Sequence, residues 1–175
     1  MAGRGQLAEA KDLMLPDKEA VFAALDEVLM RQIDDAKRRA KASADAATHE
    51  ESRQEDKHDM RSTEESYLAR GQAQRVADLE MDRATLRSLV RLDFRDGRPI
   101  ASSALVALED ADEDLMVVLL APAGGGQSAR VQGVDVRVVT PTAPLARALV
   151  GKEEGDEVLV IAGRSTREYE IVGVL

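Results

Sequence analysis

The residues best suited to chemistry in this chain are carboxylates. Between Glu50 and Glu65, seven acids stand against three bases, and Asp and Glu supply the hard oxygen ligands that suit Mg²⁺. Just upstream lies a basic run, Lys37, Arg38, Arg39 and Lys41, whose side chains suit phosphate oxygens. Composition alone leaves two readings of these segments. They are solvated helix faces laced with charge pairs, or they are an acid-tipped probe with a basic shaft, able to bring carboxylates to a metal while the shaft meets phosphates.

No self-contained active site accompanies them. Gly124-Gly125-Gly126 is not followed by the Gly-Lys-Ser/Thr that makes a phosphate loop, and Gly151-Lys152 runs into Glu153 and Glu154, which repel phosphate. His49-Glu50 begins like a zinc-protease helix, but Arg53 occupies the position of the second histidine and His58 lies too far along. No serine sits in a Gly-x-Ser-x-Gly elbow. The chain has no cysteine, which excludes disulfides, thiolate metal sites and thiol nucleophiles.

Bulk properties narrow the class further. With 24 Lys and Arg against 33 Asp and Glu, the net charge of −9 excludes nonspecific nucleic-acid binding by the whole surface. The four aromatics, Phe22, Tyr67, Phe94 and Tyr169, make no base-stacking platform. The longest nearly continuous apolar run, 115–121, is far short of the ~20 residues of a spanning helix. The first residues lack the apolar stretch of a signal peptide, so the expectation is a soluble, cytoplasmic protein with no membrane partner.

The acids need elements to position them, and the first half of the chain supplies helices. Pro16 followed by Asp17, Lys18 and Glu19 reads as a helix start with Pro in the first turn. From there Phe22, Leu25, Leu29, Ile33, Ala36, Ala40, Ala44 and Ala47 recur at steps of three and four, one stripe along a helix. A second stripe runs through Leu68, Ala69, Ala73, Val76, Leu79, Leu86, Leu89 and Val90. Two one-sided helices bury both stripes by folding back as an antiparallel coiled coil. Pairing Leu25 with Leu89 and Ala47 with Leu68 puts the turn near Asp56 to Asp59. The shrinkage from Phe, Leu and Ile to Ala predicts an arm that thins toward its acidic tip. Because both stripes are used within the chain, a monomer is expected.

The composition changes near Asp93 to Gly97, and the second half reads as strands at 100–108, 115–120, 134–140, 157–161 and 167–174. A short helix at 145–150 is opened by Ala143-Pro144 and closed by Gly151. The expected fold class is therefore α+β: a flexible tail at 1–16, an antiparallel coiled-coil hairpin at 17–92, and a small antiparallel β-sheet domain with one short helix at 98–175.

The run Ala143-Pro144-Leu145-Ala146-Arg147-Ala148-Leu149-Val150-Gly151-Lys152-Glu153-Glu154-Gly155-Asp156-Glu157-Val158, with Tyr169-Glu170-Ile171-Val172 after it, resembles the C-terminal domain of the GreA/GreB transcription elongation factors. That family carries a Ser-Pro-hydrophobic, Ala/Gly-Arg/Lys, Gly-Lys, Gly-Asp series and a closing Tyr-x-Ile/Val strand. Ala69-Arg70-Gly71-Gln72 is similar to the second helix of its hairpin. The resemblance implies an FKBP-like C-terminal domain that docks on RNA polymerase. It also implies a coiled coil that enters the secondary channel, where tip acids stimulate cleavage of backtracked RNA by the polymerase itself. The factor is then no enzyme and needs no cofactor of its own beyond the Mg²⁺ of the polymerase active site.

Carried over residue by residue, the family's tip Asp falls on Asp59, which would share the polymerase's Mg²⁺ in the complex. The family's tip Glu falls on Ser62, so the second carboxylate is missing where expected. Glu55 and Asp56 could stand in, as could Glu64. Ala143, Pro144 and Leu145 match the polymerase-contact loop, with Ala143 in place of the usual Ser. The basic shaft, with Arg53 and Lys57, would approach the nascent RNA 3′ end. Two functions follow: a transcript-cleavage elongation factor, or a Gre-like regulator that occupies the channel without cleaving, inhibits polymerase and competes with authentic Gre factors. A prolyl isomerase, suggested by the FKBP-like domain alone, lacks the aromatics for its pocket.

Overall fold

Asp17 sets where the first helix begins. Its carboxylate accepts from the Ala20 N–H at 2.8 Å and its carbonyl accepts from Val21 N–H at 3.0 Å, the bonding pattern of an N-cap residue. Pro16 therefore lies before the cap, buried, and not in the first helical turn as the sequence suggested. The computed structural model describes residues 15–51, 59–95 and 97–175, with the side chains of 46–51 and 59–66 outside the description. α1 spans Lys18–Glu51 and α2 spans Asp59–Ser88. At about 1.5 Å per residue, the 34 residues of α1 extend for roughly 50 Å.

The chain divides into two compact units, one of Leu29–Ala84 and one that joins the start of α1 and the end of α2 to the rest of the chain. The first unit is a pair of antiparallel helices. Lys37 bridges to Glu80 across it at 2.6 Å, and Arg83 reaches the Met30 sulfur at 3.9 Å. Among the described residues of this unit Leu29, Ile33 and Leu79 are buried, while Ala36, Ala40, Ala69 and Val76 are half-buried. The expected stripes shift at their ends. Ser43 is half-buried where Ala44 is exposed, and on α2 the face runs through Ala69, Gln72 and Val76, leaving Leu68 and Ala73 in solvent. Adjacent apolar residues cannot both face a partner helix, and the 3.6-residue turn selects one of them.

The second unit is built on six strands: β1 Leu105–Asp110, β2 Leu115–Leu120, β3 Ser128–Val131, β4 Val134–Val139, β5 Glu157–Ala162 and β6 Ser165–Val174, with α3, Pro144–Leu149, between β4 and β5. They order as β3-β4-β2-β1-β6-β5. Every pair is antiparallel except β2 with β4, so the sheet is mixed and not the wholly antiparallel one expected. The cause is β3, a strand the sequence reading missed. It forms a hairpin with β4 over Gln132-Gly133, both at positive φ (52° and 86°), as a two-residue primed turn requires. That hairpin returns the chain so that β4 lies alongside β2 in the same direction.

One face of the sheet buries Val106, Leu108, Val118, Val158 and Ile171 against Ala146 and Leu149 of α3. Leu15 approaches Gly173, where an added Cβ would lie 3.3 Å from its Cδ1, and Leu86, in the last turn of α2, approaches Gly124 in the same manner at 2.9 Å. The 100–104 segment, expected to begin the first strand, is instead a turn with Ser103 at φ 76°.

Candidate functional site

Two parts of the chain carry the residues expected to act: the loop that opens α3 and the turn of the hairpin. The α3 loop is fixed by backbone bonds on both sides. Ala143 N–H donates to the Thr140 carbonyl at 2.9 Å, and Arg147 N–H donates to the Ala143 carbonyl at 3.1 Å. Ala143 is extended (φ −69°, ψ 140°) and offers no side-chain cap, so its methyl costs the helix the hydroxyl bond a Ser would make there. Pro144 follows at the first helical position, where its missing N–H is no loss. At the other end, Gly151 (φ 82°) donates to the Ile100 carbonyl at 2.8 Å, and Ile100 N–H donates to the Lys152 carbonyl at 2.8 Å.

These bonds decide what the loop presents. Ala143 and Leu145 are half-buried and pack on the core cluster, whereas Pro144 is exposed together with Pro141, Thr142, Arg147 and Val150. Of the three residues matched to a contact loop, Pro144 alone is fully at the surface. The exposed residues around it are two apolar side chains, Pro141 and Val150, one hydroxyl, Thr142, and one cation, Arg147.

The hairpin turn is described in part. Asp59 is the first residue of α2, and Ser62 stands in that helix's first turn. Glu55 and Asp56 lie outside the described residues, as do Arg53 and Lys57. Within the basic run the charges are partly committed: Lys37 is bridged to Glu80, and Arg38 pairs with Asp35 one turn away. Arg39 and Lys41 are exposed.

A third constellation, unforeseen from the sequence, ties the segment after α2 to the first turns of α1. Lys18 Nζ lies 4.9 Å from the ring centroid of Phe94 and donates to the Leu92 carbonyl at 2.5 Å. Arg91 mirrors it, stacked over Phe22 at 4.6 Å and paired with Glu19. Leu92 N–H donates to Oγ of the buried Ser103 at 3.0 Å. Burial lowers the Lys18 pKa from 10.5 to about 8, against the pull of Asp93 and Glu19. The Arg95 N–H on the Asp93 carboxylate, at 3.0 Å, holds Asp93 below the ordinary range.

Residues 103–175 match the family described as "Transcription elongation factor, GreA/GreB, C-term". The chain is 30% identical over 168 residues to transcription elongation factor GreA of Allorhizobium ampelinum, an alignment covering 91% of this chain and 96% of that protein. It is 37% identical over 89 residues to GreA of Nitratidesulfovibrio vulgaris, covering 50% of this chain and 51% of the other. The crystal structure of the GreA factor homolog 1 protein of Thermus thermophilus aligns with a TM-score of 0.36 at 20% identity, over 87% of this chain and 95% of that one. A helical hairpin followed by a mixed sheet carrying a Pro-led helix, in a chain so related, is of the class of transcription elongation factors. Within that class the chain belongs to the GreA/GreB family.

Proposed function

We propose that this chain binds RNA polymerase through the sheet domain and inserts its hairpin into the secondary channel to stimulate cleavage of backtracked RNA. The observation that carries the reading is the position of Asp59, the first residue of α2 at the turn end of two antiparallel helices, in a chain of this family. A narrow pair of helices fits a pore that a rounder domain would not enter.

Asp59 is one carboxylate, and Mg²⁺ takes about six oxygens. The donor chemistry fits a shared ion, with Asp59 and one of Glu55 or Asp56 adding ligands to those of the polymerase. Bound there, the metal would lower the pKa of the attacking water. The factor itself turns over no substrate. The α3 loop, with Pro144 at its surface, is the polymerase contact in this reading, and Arg39 and Lys41 are the shaft cations open to the RNA 3′ end.

A second reading rests on Ser62, which holds a hydroxyl in the first turn of α2 where the family resemblance calls for Glu. On it the hairpin occupies the channel and blocks it without supporting cleavage.

Backtracked elongation complexes of the cognate polymerase with Mg²⁺ separate the two. Faster 3′-end shortening on addition of the protein, lost in Asp59→Asn while polymerase binding persists, is the expected result. Binding without shortening, together with suppression of cleavage by an authentic Gre factor, would establish the blocking regulator. Absence of polymerase binding would overturn both.

A further inference from the structure

The two edges of the sheet are built differently. β3 is four residues long and places Arg130 in solvent at its middle, and short, charged edges resist pairing with another chain. β5 is six residues long, and from Val158 to Ala162 it carries neither charge nor proline. It pairs with β6 in unbroken register from Glu157–Glu170 to Ala162–Ser165, with no bulge to turn the edge away. Among the described residues no strand is hydrogen-bonded to its other side. Leu159 and Ile161 share one face of β5 and are 57% and 62% exposed, while Val158 on the opposite face is buried.

We propose that β5 is a self-association edge, pairing antiparallel with β5 of a second copy about a twofold axis through Val160. In this register Leu159 of one copy stands opposite Ile161 of the other, on the same face, and the two most exposed branched side chains of the strand cover each other twice. Val158 falls opposite Ala162. The charges then agree as well, because Asp156 and Glu157 at one end of the strand come alongside Arg164 at the other end of the partner strand. Sliding by two residues one way sets Glu157 against Ile161, and sliding the other way sets Leu159 against Gly163. Both lose the match. The helix stripes suggested a monomer, but β5 leaves Leu159 and Ile161 exposed at an edge of the sheet.

Six residues of strand make a small interface, so a weak, reversible dimer is expected, with Kd on the order of 100 μM. Sedimentation equilibrium of the full chain from about 10 μM to 1 mM tests it. The expected result is a monomer–dimer equilibrium whose Kd rises at least about tenfold in Ile161→Lys and measurably in Arg164→Glu. Both side chains are solvent-exposed, so the fold is kept and circular dichroism confirms it. Leu115→Lys, an exposed apolar position on β2, serves as the control and leaves Kd unchanged. A monomer over the whole range overturns the proposal. So does a dimer indifferent to both β5 variants, which would place self-association elsewhere.

Discussion

Lys18 and Phe94 stand as ammonium over ring, 4.9 Å apart, with the Leu92 carbonyl accepting from the same nitrogen. Burial nonetheless costs the charge more than these contacts return, since the Lys18 pKa falls to about 8. Below pH 8 both folded and unfolded chains hold the proton, and the folded state carries the burial cost in full. Between about 8 and 10.5 the unfolded chain keeps a proton that the folded chain has released, so the contribution of this group to stability rises with pH. Urea denaturation at pH 7.5 and 9.5 is expected to show the wild type gaining stability relative to Lys18→Met. Parallel changes in the two proteins would exclude the assignment to Lys18. At pH 7.5 the Met variant should be at least as stable, because its chain packs on Phe94 without a charge to desolvate.

Ser103 offers a separable test of backbone and side chain. It is fully buried, sits at φ 76° and accepts from Leu92 N–H. Ser103→Ala keeps the strained φ and loses the acceptor, for a cost of about 1–2 kcal/mol. Ser103→Gly loses the same bond but relieves a left-handed conformation worth about 1 kcal/mol, and is expected to be the milder of the two by thermal denaturation.

The glycine run 124–126 is not uniform. A Cβ at Gly124 would lie 2.9 Å from Leu86 Cδ1 with φ at 73°, whereas at Gly126 (φ 81°) nothing lies within 4 Å. Gly126→Ala should cost about 1 kcal/mol from φ alone, and Gly124→Ala about 2–4 kcal/mol from φ and the clash together. Equal midpoints in urea would contradict the packing of Leu86 on this turn.

Within the hairpin, Leu29 is fully buried and Leu68 is 58% exposed. Leu29→Ala is expected to lose about 2–4 kcal/mol, while Leu68→Ala should stay within about 0.5 kcal/mol of the parent. Similar losses at both positions would restore Leu68 to the buried stripe.

The hairpin was legible in the sequence because large apolar residues at steps of three and four, from Phe22 to Ile33, admit one helical face. Where the stripe thinned to Ala, residue type no longer distinguished Ala44 from Ser43 or Leu68 from Ala69, and geometry decided. The short helix was legible through Pro144 and Gly151, each of which has one natural place at a helix end. β3 escaped because Ser128-Ala129-Arg130-Val131 holds too few apolar positions for an alternation, and Gln132-Gly133 is a weaker turn signal than Asn-Gly. The parallel pairing of β2 with β4 followed from that omission. The Lys18–Phe94 contact joins residues far apart in sequence, and no local pattern encodes such a meeting. Of the residues expected to act, Pro144 could be recognised as exposed from its place at a helix start, whereas the half-burial of Ala143 and Leu145 depends on what packs beneath them.

The strand order carries a consequence for synthesis. β1 lies between β2 and β6, and β5 touches the sheet through β6 alone. A chain emerging from its N-terminus can assemble β3-β4-β2-β1 early, but β1 then waits as an open edge while everything up to Ser165 is translated. β5, although made first, packs on α3 through Val158 but has no strand to pair with until β6 arrives. The domain therefore closes in one late step, when β6 pairs with β1 and β5 pairs with β6, and a chain interrupted before that step exposes β1, an interior strand of the finished sheet, as an unpaired edge.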